Sequence, residues 1–312
     1  MQKQLQNHLN SYQYRFFHGE IEANGNNEHR WTDYIINQSV VFSHRSVPYT
    51  FDTFEDEMHS HDFCELVFYI SGDVHFVVGN KVYRPQYGDL FIVRPTEIHS
   101  GKLDKNSTYK RYVLWFAPDF FDTFQDGKEE LANFIFNREI GEDNLISLPE
   151  SVLGRVANLY NQIDYTSTSP YKGANAMAVS YLLQLFATIN NNYKNTIPLD
   201  RSVQLPDCIL KATNYIEENY RELTSITDIA NHSHISREHL SRLFKNYYGT
   251  TINNYINEKR VNESKRLLEQ GANVTEACFG SGFNNVSYFI KIFQKKINTT
   301  PLEYKHFFNT PS

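Results

Sequence analysis

The chain has 312 residues, of which 40% are apolar, so it can bury one or two hydrophobic cores, and the usual domain size favours two. Its three cysteines, Cys64, Cys208 and Cys278, are too few and too scattered for a disulfide framework or a zinc cluster, and they favour a reducing compartment. The formal net charge of −6 argues against a non-specific architectural DNA protein, which needs a strongly basic surface.

The N-terminal extension, residues 1–39, has no basic start followed by an apolar segment of the kind that forms a secretory signal. No uninterrupted apolar run in the chain approaches the roughly 20 residues that a membrane-spanning helix requires. We therefore expect a cytoplasmic protein with no membrane partner.

Short apolar segments follow at residues 63–70, 74–78 and 89–93, and they are separated by turn signals such as Gly72-Asp73. Many short strands at this spacing are typical of a β-sandwich or barrel rather than of a parallel sheet. We place this barrel at residues 40–118.

Polar side chains share one face of the first of these strands. His59, His61, Glu65 and Tyr69 all occupy odd positions, and alternate side chains of a strand point the same way. His99 follows later, in "GDLFIVRPTEIHSG". The spacing resembles that of the cupin barrel, which implies that these positions face the barrel interior, where metal-binding cupins hold a divalent ion with three His and one carboxylate.

Beyond residue 118 the apolar residues recur with a period of about 3.6, which indicates helices in the region 119–195. Two amphipathic helices are predicted, at 150–164 and at 174–193, and Val179 and Leu183 lie on the apolar face of the second. The polar, proline-containing segment 196–207 is the predicted linker to the C-terminal part.

A helix-turn-helix unit is predicted from "ITDIANHSHISREHLSRLFKNYYG" at 226–249. Small Ala230 lets the second helix approach closely, Ser236 is a good N-cap, and Leu240 and Phe244 give that helix an inward face. The opposite face then carries side chains suited to a DNA major groove: Arg237, Glu238, Ser241, Arg242 and Lys245.

A second unit repeats the pattern at 274–297, with Cys278 in the small position and Asn285 as the N-cap. Its outward face holds Val286, Ser287, Lys291, Lys295 and Lys296. The segment 251–271 predicts a helix of roughly 18 residues, about 27 Å long, between the two units. That length is close to the roughly 34 Å of one DNA turn, so the two reading helices can enter successive major grooves.

These landmarks, together with "YINEKRVNESKRLL" and "TTPLEYK", resemble the DNA-binding domain of the AraC/XylS family of bacterial transcription regulators, and we assign it to residues 208–308. The sequence departs from the family pattern at Ala277, Cys278 and Asn298, which predicts a second unit that is slightly less well packed. The resemblance implies base-facing roles for Glu238, Ser241, Arg242, Val286, Ser287 and Lys291, and phosphate-facing roles for Arg237, Lys245, Asn285 and Lys295.

The fold class expected from both resemblances is α+β with several domains: an N-terminal cupin-like β-barrel plus helices, and a C-terminal all-α domain with two helix-turn-helix units joined by a linker helix. AraC-type regulators commonly carry such a barrel as an effector sensor. The expected effector is a small polar molecule, often a sugar in the family, bound by His59, His61, Glu65, Tyr69 and His99. Two alternatives remain open: a divalent metal held by His59, His61, Glu65 and His99, or histidines that are satisfied by neighbouring hydrogen bonds.

Metal cupins include oxygenases and isomerases, so an enzyme is a further alternative. An enzyme does not need a pair of DNA-reading units, and the sequence has no Ser-His-Asp elbow or phosphate-binding glycine loop. We therefore expect no catalytic residues, no cofactor, and a sequence-specific, ligand-responsive transcription regulator, more often an activator in the family. Its expected partners are promoter DNA, a small effector, RNA polymerase in the case of an activator, and a second copy of the chain in a homodimer.

Overall fold

The computed structural model describes residues 30–36, 40–48, 58–103, 107–124, 127–167, 169–170, 172–193, 202–203, 205–223 and 225–309. Ten β-strands lie in the N-terminal two thirds of these residues; eight precede the first α-helix, and the other two lie between helices. The predicted linker falls largely outside the described residues, as does most of the N-terminal extension.

Two antiparallel sheets form the barrel. The six-stranded sheet has the order β1-β2-β8-β3-β6-β9, and the four-stranded sheet has the order β10-β5-β4-β7. The strands are β1 (Arg30–Ile36), β2 (Val40–Pro48), β3 (Cys64–Ser71), β4 (Val74–Val78), β5 (Lys81–Tyr83), β6 (Leu90–Val93), β7 (His99–Leu103), β8 (Thr108–Phe116), β9 (Leu145–Ile146) and β10 (Ser202–Val203).

Strand β3 is buried on both faces. Phe63, just before it, and Val67 pack between the two sheets against Phe91 and Trp115, whereas Leu66 belongs to a second cluster on the other face. Because both faces are covered, the sequence of this strand is a nearly continuous apolar run and does not alternate strictly between apolar and polar residues.

The sheets extend beyond the residues 40–118 that the sequence predicted for the barrel. Strand β1 precedes them, β9 pairs with β6, and β10 pairs with β5 from the far side of the helical region. Strands β9 and β10 have two residues each, and strands of this length carry no periodic signal of their own. Their positions follow from long-range pairing.

Three helices follow the barrel: α1 (Gly127–Phe136), α2 (Glu150–Ser167) and α3 (Ala174–Asn192). Helices α2 and α3 occur where the sequence predicted them, and both bury apolar residues against the outer face of the six-stranded sheet. The buried stripe of α3 is rotated from the predicted one, because Ala178 and Leu185 are buried whereas Val179 and Leu183 are only partly buried.

Seven helices form the C-terminal domain, in agreement with the predicted fold class. They are α4 (Asp207–Asn219), α5 (Ile226–His232), α6 (Arg237–Tyr248), α7 (Ile252–Glu269), α8 (Val274–Gly280), α9 (Val286–Ile297) and α10 (Pro301–Asn309). One core cluster surrounds Leu240 and Phe244 of α6, and another surrounds Phe289 and Phe293 of α9. The two helix-turn-helix units therefore have separate clusters, and the cluster of the first unit also includes Met58 and Val77 of the barrel.

The turn of the second unit requires glycine at position 282. Gly282 has a φ of +94°, and an added Cβ atom would lie 2.5 Å from the carbonyl oxygen of Arg221. We expect Gly282→Ala to lower the free energy of unfolding by about 2–4 kcal/mol, because backbone strain adds to overpacking. Urea unfolding followed by circular dichroism measures this change.

Gly271→Ala is the matched control for this prediction. Gly271 has a similar φ of +97°, but no atom lies within 4 Å of an added Cβ. The control therefore measures backbone strain alone, about 1–2 kcal/mol. Equal losses in the two variants would show that the close approach to Arg221 contributes nothing.

Candidate DNA-reading surface and barrel ligand site

Helix α6 begins as the sequence predicted. The Ser236 hydroxyl accepts a hydrogen bond from the backbone N–H of His239 at 3.2 Å, which satisfies one of the unpaired donors at the helix N-terminus. Leu240 and Phe244 are fully buried. The predicted reading side chains share the opposite face, where Ser241 is half-buried and the others are exposed: Arg237, Glu238, Arg242 and Lys245.

Helix α9 has the same construction. The Asn285 side chain accepts a hydrogen bond from the N–H of Tyr288 at 2.8 Å, and Asn298 ends the helix in the left-handed conformation with a φ of +59°. Cys278, one of the three departures from the family pattern, is fully buried in the core of the unit. Val286 is half-buried, and the remaining predicted side chains are exposed: Asn285, Ser287, Lys291 and Lys295.

Lys296 departs from its predicted outward position. Its ammonium group forms an ion pair with Glu258, a residue of α7 that is only 3% exposed. Lys296 therefore holds α9 against α7. It is less suited to a phosphate contact than the exposed Lys295 on the same helix.

The helix between the two units has the predicted length. Helix α7 contains 18 residues, and the Thr251 side chain caps its N-terminus. At 1.5 Å per residue it spans about 27 Å. Both reading helices pack onto α7, so this rigid element sets their separation.

The predicted histidine cluster forms at one end of the barrel. The backbones of His59 and His99 are joined by two hydrogen bonds of 2.9 Å. His59, His61 and His99 can each offer one ring nitrogen such that the three atoms lie within 4.8 Å of one another. A carboxylate oxygen of Glu65 lies 3.2 Å from Nε2 of His61 and 3.7 Å from Nε2 of His99.

Backbone carbonyl groups orient two of these imidazoles. Nδ1 of His61 lies 2.9 Å from the carbonyl oxygen of Phe63, and Nδ1 of His99 lies 2.9 Å from that of Glu97. Because a carbonyl oxygen only accepts, each Nδ1 carries the proton, and the Nε2 lone pair faces Glu65. Burial lowers the pKa of His61 to about 4, so this ring is neutral at pH 7.

This arrangement directs lone pairs of two imidazoles toward one carboxyl group. Lone pairs and a carboxylate repel each other unless a proton or a cation lies between them. Three imidazoles and one carboxylate are also a donor set that divalent transition metals prefer, with the ring orientation fixed by hydrogen bonds to Nδ1. The residues therefore fit a divalent cation.

Tyr69 does not join this cluster, although it was predicted on the same face. It lies four residues beyond Glu65 on β3, which is about 13 Å along the strand. Its hydroxyl donates a hydrogen bond to the carbonyl oxygen of Gly72, and burial raises its pKa. Tyr69 packs at the far end of the interior core, near Tyr109.

Comparison with known protein families identifies both parts of the chain. A model described as an AraC-like ligand binding domain matches residues 41–186, and a model described as a helix-turn-helix domain matches residues 229–306. The chain belongs to the AraC family of transcription regulators. It is accordingly a ligand-responsive DNA-binding regulator, as the sequence predicted.

Two curated relatives align with most of this chain. The transcriptional activator RhaR of Enterobacter sp. (strain 638) is 25% identical over 282 residues, which cover 89% of this chain and 95% of the relative. The uncharacterized regulator YdeC of Bacillus subtilis (strain 168) is 26% identical over 255 residues, which cover 80% of this chain and 85% of the relative.

Solved structures of AraC-type proteins were also matched. ToxT from Vibrio cholerae with a bound unsaturated fatty acid is 18% identical to this chain. The alignment covers 87% of this chain and 96% of the ToxT chain, with a TM-score of 0.38. An AraC-type regulator structure from Chromobacterium violaceum is 31% identical to this chain. The alignment covers 34% of this chain and 95% of the regulator's chain, with a TM-score of 0.31.

Contacts between the barrel and the DNA-binding domain of this AraC-family chain were not predicted from the sequence. Ser60 and Asp62 contact buried polar residues of α7, which are Glu258 and Lys265. The polar residues Ser60 and Asp62 alternate with the histidines of this segment, which indicates a second polar face. Their partners on α7 could not be identified from this pattern, because they lie about 200 residues away. Among the described residues, no helix is both long enough and apolar enough to cross a bilayer.

Proposed function

We propose that this AraC-family regulator reads one DNA site through the exposed faces of α6 and α9. The observation that carries the proposal is that both reading faces are exposed while their helices are held on one rigid helix, α7. Side chains proposed to face bases are Glu238, Ser241, Arg242, Val286, Ser287 and Lys291. Those proposed to contact phosphates are Arg237, Lys245, Asn285 and Lys295.

Arg242→Ala tests the base-reading assignment. Loss of the guanidinium group is expected to cost about 1–3 kcal/mol of binding free energy and to relax the preference at one base position, because Arg reads guanine with two hydrogen bonds. A duplex selected from a random pool by the wild-type chain, and all its single-base variants, measure both effects. An unchanged affinity and base preference would contradict the groove assignment.

Lys295→Ala is expected to behave differently, because an ammonium group near phosphates carries no sequence information. Binding to every duplex should weaken by a similar factor, and the slope of log K against log salt should fall by about 1. Lys172→Ala, at an exposed position of the N-terminal region, is the matched control and should leave the slope unchanged. A sequence-selective loss in Lys295→Ala would place this residue at a base.

Activation of transcription, with RNA polymerase as a partner, is proposed from the relatives that are named transcriptional activators. A cytoplasmic location agrees with this role. The proposed domains are the barrel at 40–118, which β1, β9 and β10 extend, the helical region at 119–195, the linker at 196–207 and the DNA-binding domain at 208–308. No catalytic activity is proposed for any of them.

A homodimer is proposed because the helical region leaves large apolar side chains exposed outside its buried stripes. Tyr165 of α2 is 74% exposed and Met177 of α3 is 41% exposed. A second copy would roughly double the DNA contacts. Sedimentation at micromolar concentration tests this proposal, and a strictly monomeric species would contradict it.

The ligand site of the regulator is proposed to be the cluster of His59, His61, Glu65 and His99. The lone pairs that converge on Glu65 favour a divalent cation as its occupant. A small polar effector, such as a sugar, is the other candidate, because a few polar side chains next to aromatic rings suit such a molecule.

A thermal-shift panel with sugars, small acids and divalent metals, each with and without chelator, separates the two candidates. A ligand at 100 times its Kd adds about 2.7 kcal/mol to stability, which corresponds to a shift of several degrees. A metal-dependent shift that chelator reverses is the expected result. A chelator-insensitive shift with an organic compound would identify the effector class instead.

A further inference from the structure

The two segments that carry the histidine cluster also carry the contacts between the barrel and the DNA-binding domain. In the first segment the side chains alternate: His59 and His61 enter the cluster, whereas Ser60 and Asp62 contact α7. In an extended segment neighbouring side chains point to opposite sides, so one short piece of backbone serves both surfaces.

The contacts on α7 are made with buried polar groups. The backbone N–H and the hydroxyl of Ser60 each lie 3.2 Å from a carboxylate oxygen of Glu258, and the hydroxyl lies 2.8 Å from the side-chain oxygen of Asn262. Asp62 forms an ion pair with Lys265, whose side chain is 4% exposed. A shift of this segment therefore disturbs groups that are costly to leave unpaired.

The second segment is strand β7, which begins at His99. The next residue, Ser100, lies with its hydroxyl 3.5 Å from the carbonyl oxygen of Tyr248, and Lys102 donates a hydrogen bond of 3.0 Å to that of Asn246. Both carbonyl groups belong to the C-terminal end of α6. The His59–His99 backbone bridge joins this segment to the first one.

Through these contacts the cluster is connected to both reading helices. Strand β7 holds the end of α6, and the second carboxylate oxygen of Glu258 binds Lys296 of α9. We name the four barrel residues Ser60, Asp62, Ser100 and Lys102 the docking residues. The reading side chains Arg242 and Lys291 remain exposed in this arrangement, and Arg242 lines a cleft that also includes Ser100 and Lys102 of the barrel.

We propose that a ligand at the histidine cluster strengthens DNA binding by ordering the docking residues and so fixing α6 and α9 in their relative position. A cation held by His59, His61 and His99 would link the two segments directly. Two reading helices that are already ordered lose less conformational entropy when they bind DNA. This smaller loss raises the affinity for DNA. The inference rests on the cluster being the ligand site.

The test compares the wild-type chain with Ser60→Ala/Asp62→Asn, which removes docking contacts without touching the cluster. DNA affinity for a duplex selected by the wild-type chain is measured with and without Co²⁺. Co²⁺ is expected to tighten DNA binding of the wild type about fivefold or more, and less than about twofold in the variant. Asp73→Asn, at an exposed barrel turn, is the matched control and keeps the wild-type response.

Hydrogen exchange of the α7 amides provides a second readout. Co²⁺ is expected to slow this exchange in the wild type and to leave it unchanged in the variant. By linkage, the selected duplex should raise the affinity for Co²⁺ by the same factor that Co²⁺ raises the affinity for DNA. Lys102→Ala, which removes one partly exposed contact on the other segment, replaces the double variant if that variant does not fold.

The outcomes separate this inference from the proposed ligand site. Without Co²⁺ the docking contacts are already present, so the variant is expected to bind DNA more weakly and to exchange faster in α7 than the wild type. If Co²⁺ fails to bind the wild type, the proposed cation site is wrong. The comparison of DNA affinity between wild type and variant without Co²⁺ then tests the coupling between the docking residues and DNA binding. If DNA affinity and exchange are equal in wild type and variant, with and without Co²⁺, the coupling is overturned.

Discussion

Replacing His61 with Ala is expected to lower the affinity of the protein for Co²⁺ by at least about 100-fold, which exceeds the effect of changing a residue that only supports a ligand. His61 lies next to both His99 and Glu65 in the cluster, and its Nδ1 donates a hydrogen bond to the carbonyl oxygen of Phe63. The ring is neutral at pH 7, because burial lowers its pKa to about 4. Titration of the visible absorption of Co²⁺ measures the affinity.

The control for this change is His44→Ala, on strand β2. His44 lies outside the cluster and its ring bonds to Asp164 at 2.9 Å, so its loss should leave the Co²⁺ affinity unchanged. Glu65→Gln is the second test, because it preserves the shape of the side chain while removing its charge. Wild-type Co²⁺ affinity in both His61→Ala and Glu65→Gln would show that the cluster is not a cation site.

The DNA-reading units could be predicted from the sequence because their determinants are local. Ser236 and Asn285 cap helices through bonds to residues three positions away, and Asn298 ends α9 by its own backbone conformation. The spacing of buried positions within one helix then fixes which side chains face outward. Lys296 was misplaced, since its partner Glu258 lies on another helix.

The ligand site could be predicted only in part. The alternation of His59, His61 and Glu65 indicated a shared face, and the structure brings His99 to that face by pairing with His59. Tyr69 satisfied the same alternation but lies too far along the strand, because alternation indicates a face and not a position on it. The docking residues could not be predicted, since their partners lie more than 140 residues away in the chain.

A buried ion pair beside the ligand site joins residues 41 positions apart, so it was not predicted from the sequence, and we expect it to have a large effect on stability. Arg138→Ala should lower the free energy of unfolding by about 3–5 kcal/mol, because it leaves the Glu97 carboxylate buried without its partner. The two side chains are 4% and 0% exposed, and the guanidinium nitrogens lie 2.9 and 2.6 Å from the carboxylate oxygens. Urea unfolding measures the loss.

The charge of Glu97 is what makes this loss large. Burial alone would raise the pKa of its carboxyl group, but the hydrogen bonds and charge of Arg138 hold the pKa below its usual value. Arg84→Ala is the matched control, because Arg84 and Asp73 form an exposed pair. Such a pair contributes at most about 1 kcal/mol. Equal effects of the two Arg→Ala changes would show that Glu97 finds other compensation.

The same ion pair supports the histidine cluster, because the carbonyl group of Glu97 is the one that orients His99. Arg138→Ala should therefore weaken Co²⁺ binding by about 10-fold, within the range for residues that hold a metal ligand in place. The double variant Glu97→Gln/Arg138→Met removes both charges and should recover much of the stability. If it also recovers the Co²⁺ affinity, the backbone at Glu97 orients His99. If stability returns and the affinity does not, the ion pair itself is required for that orientation.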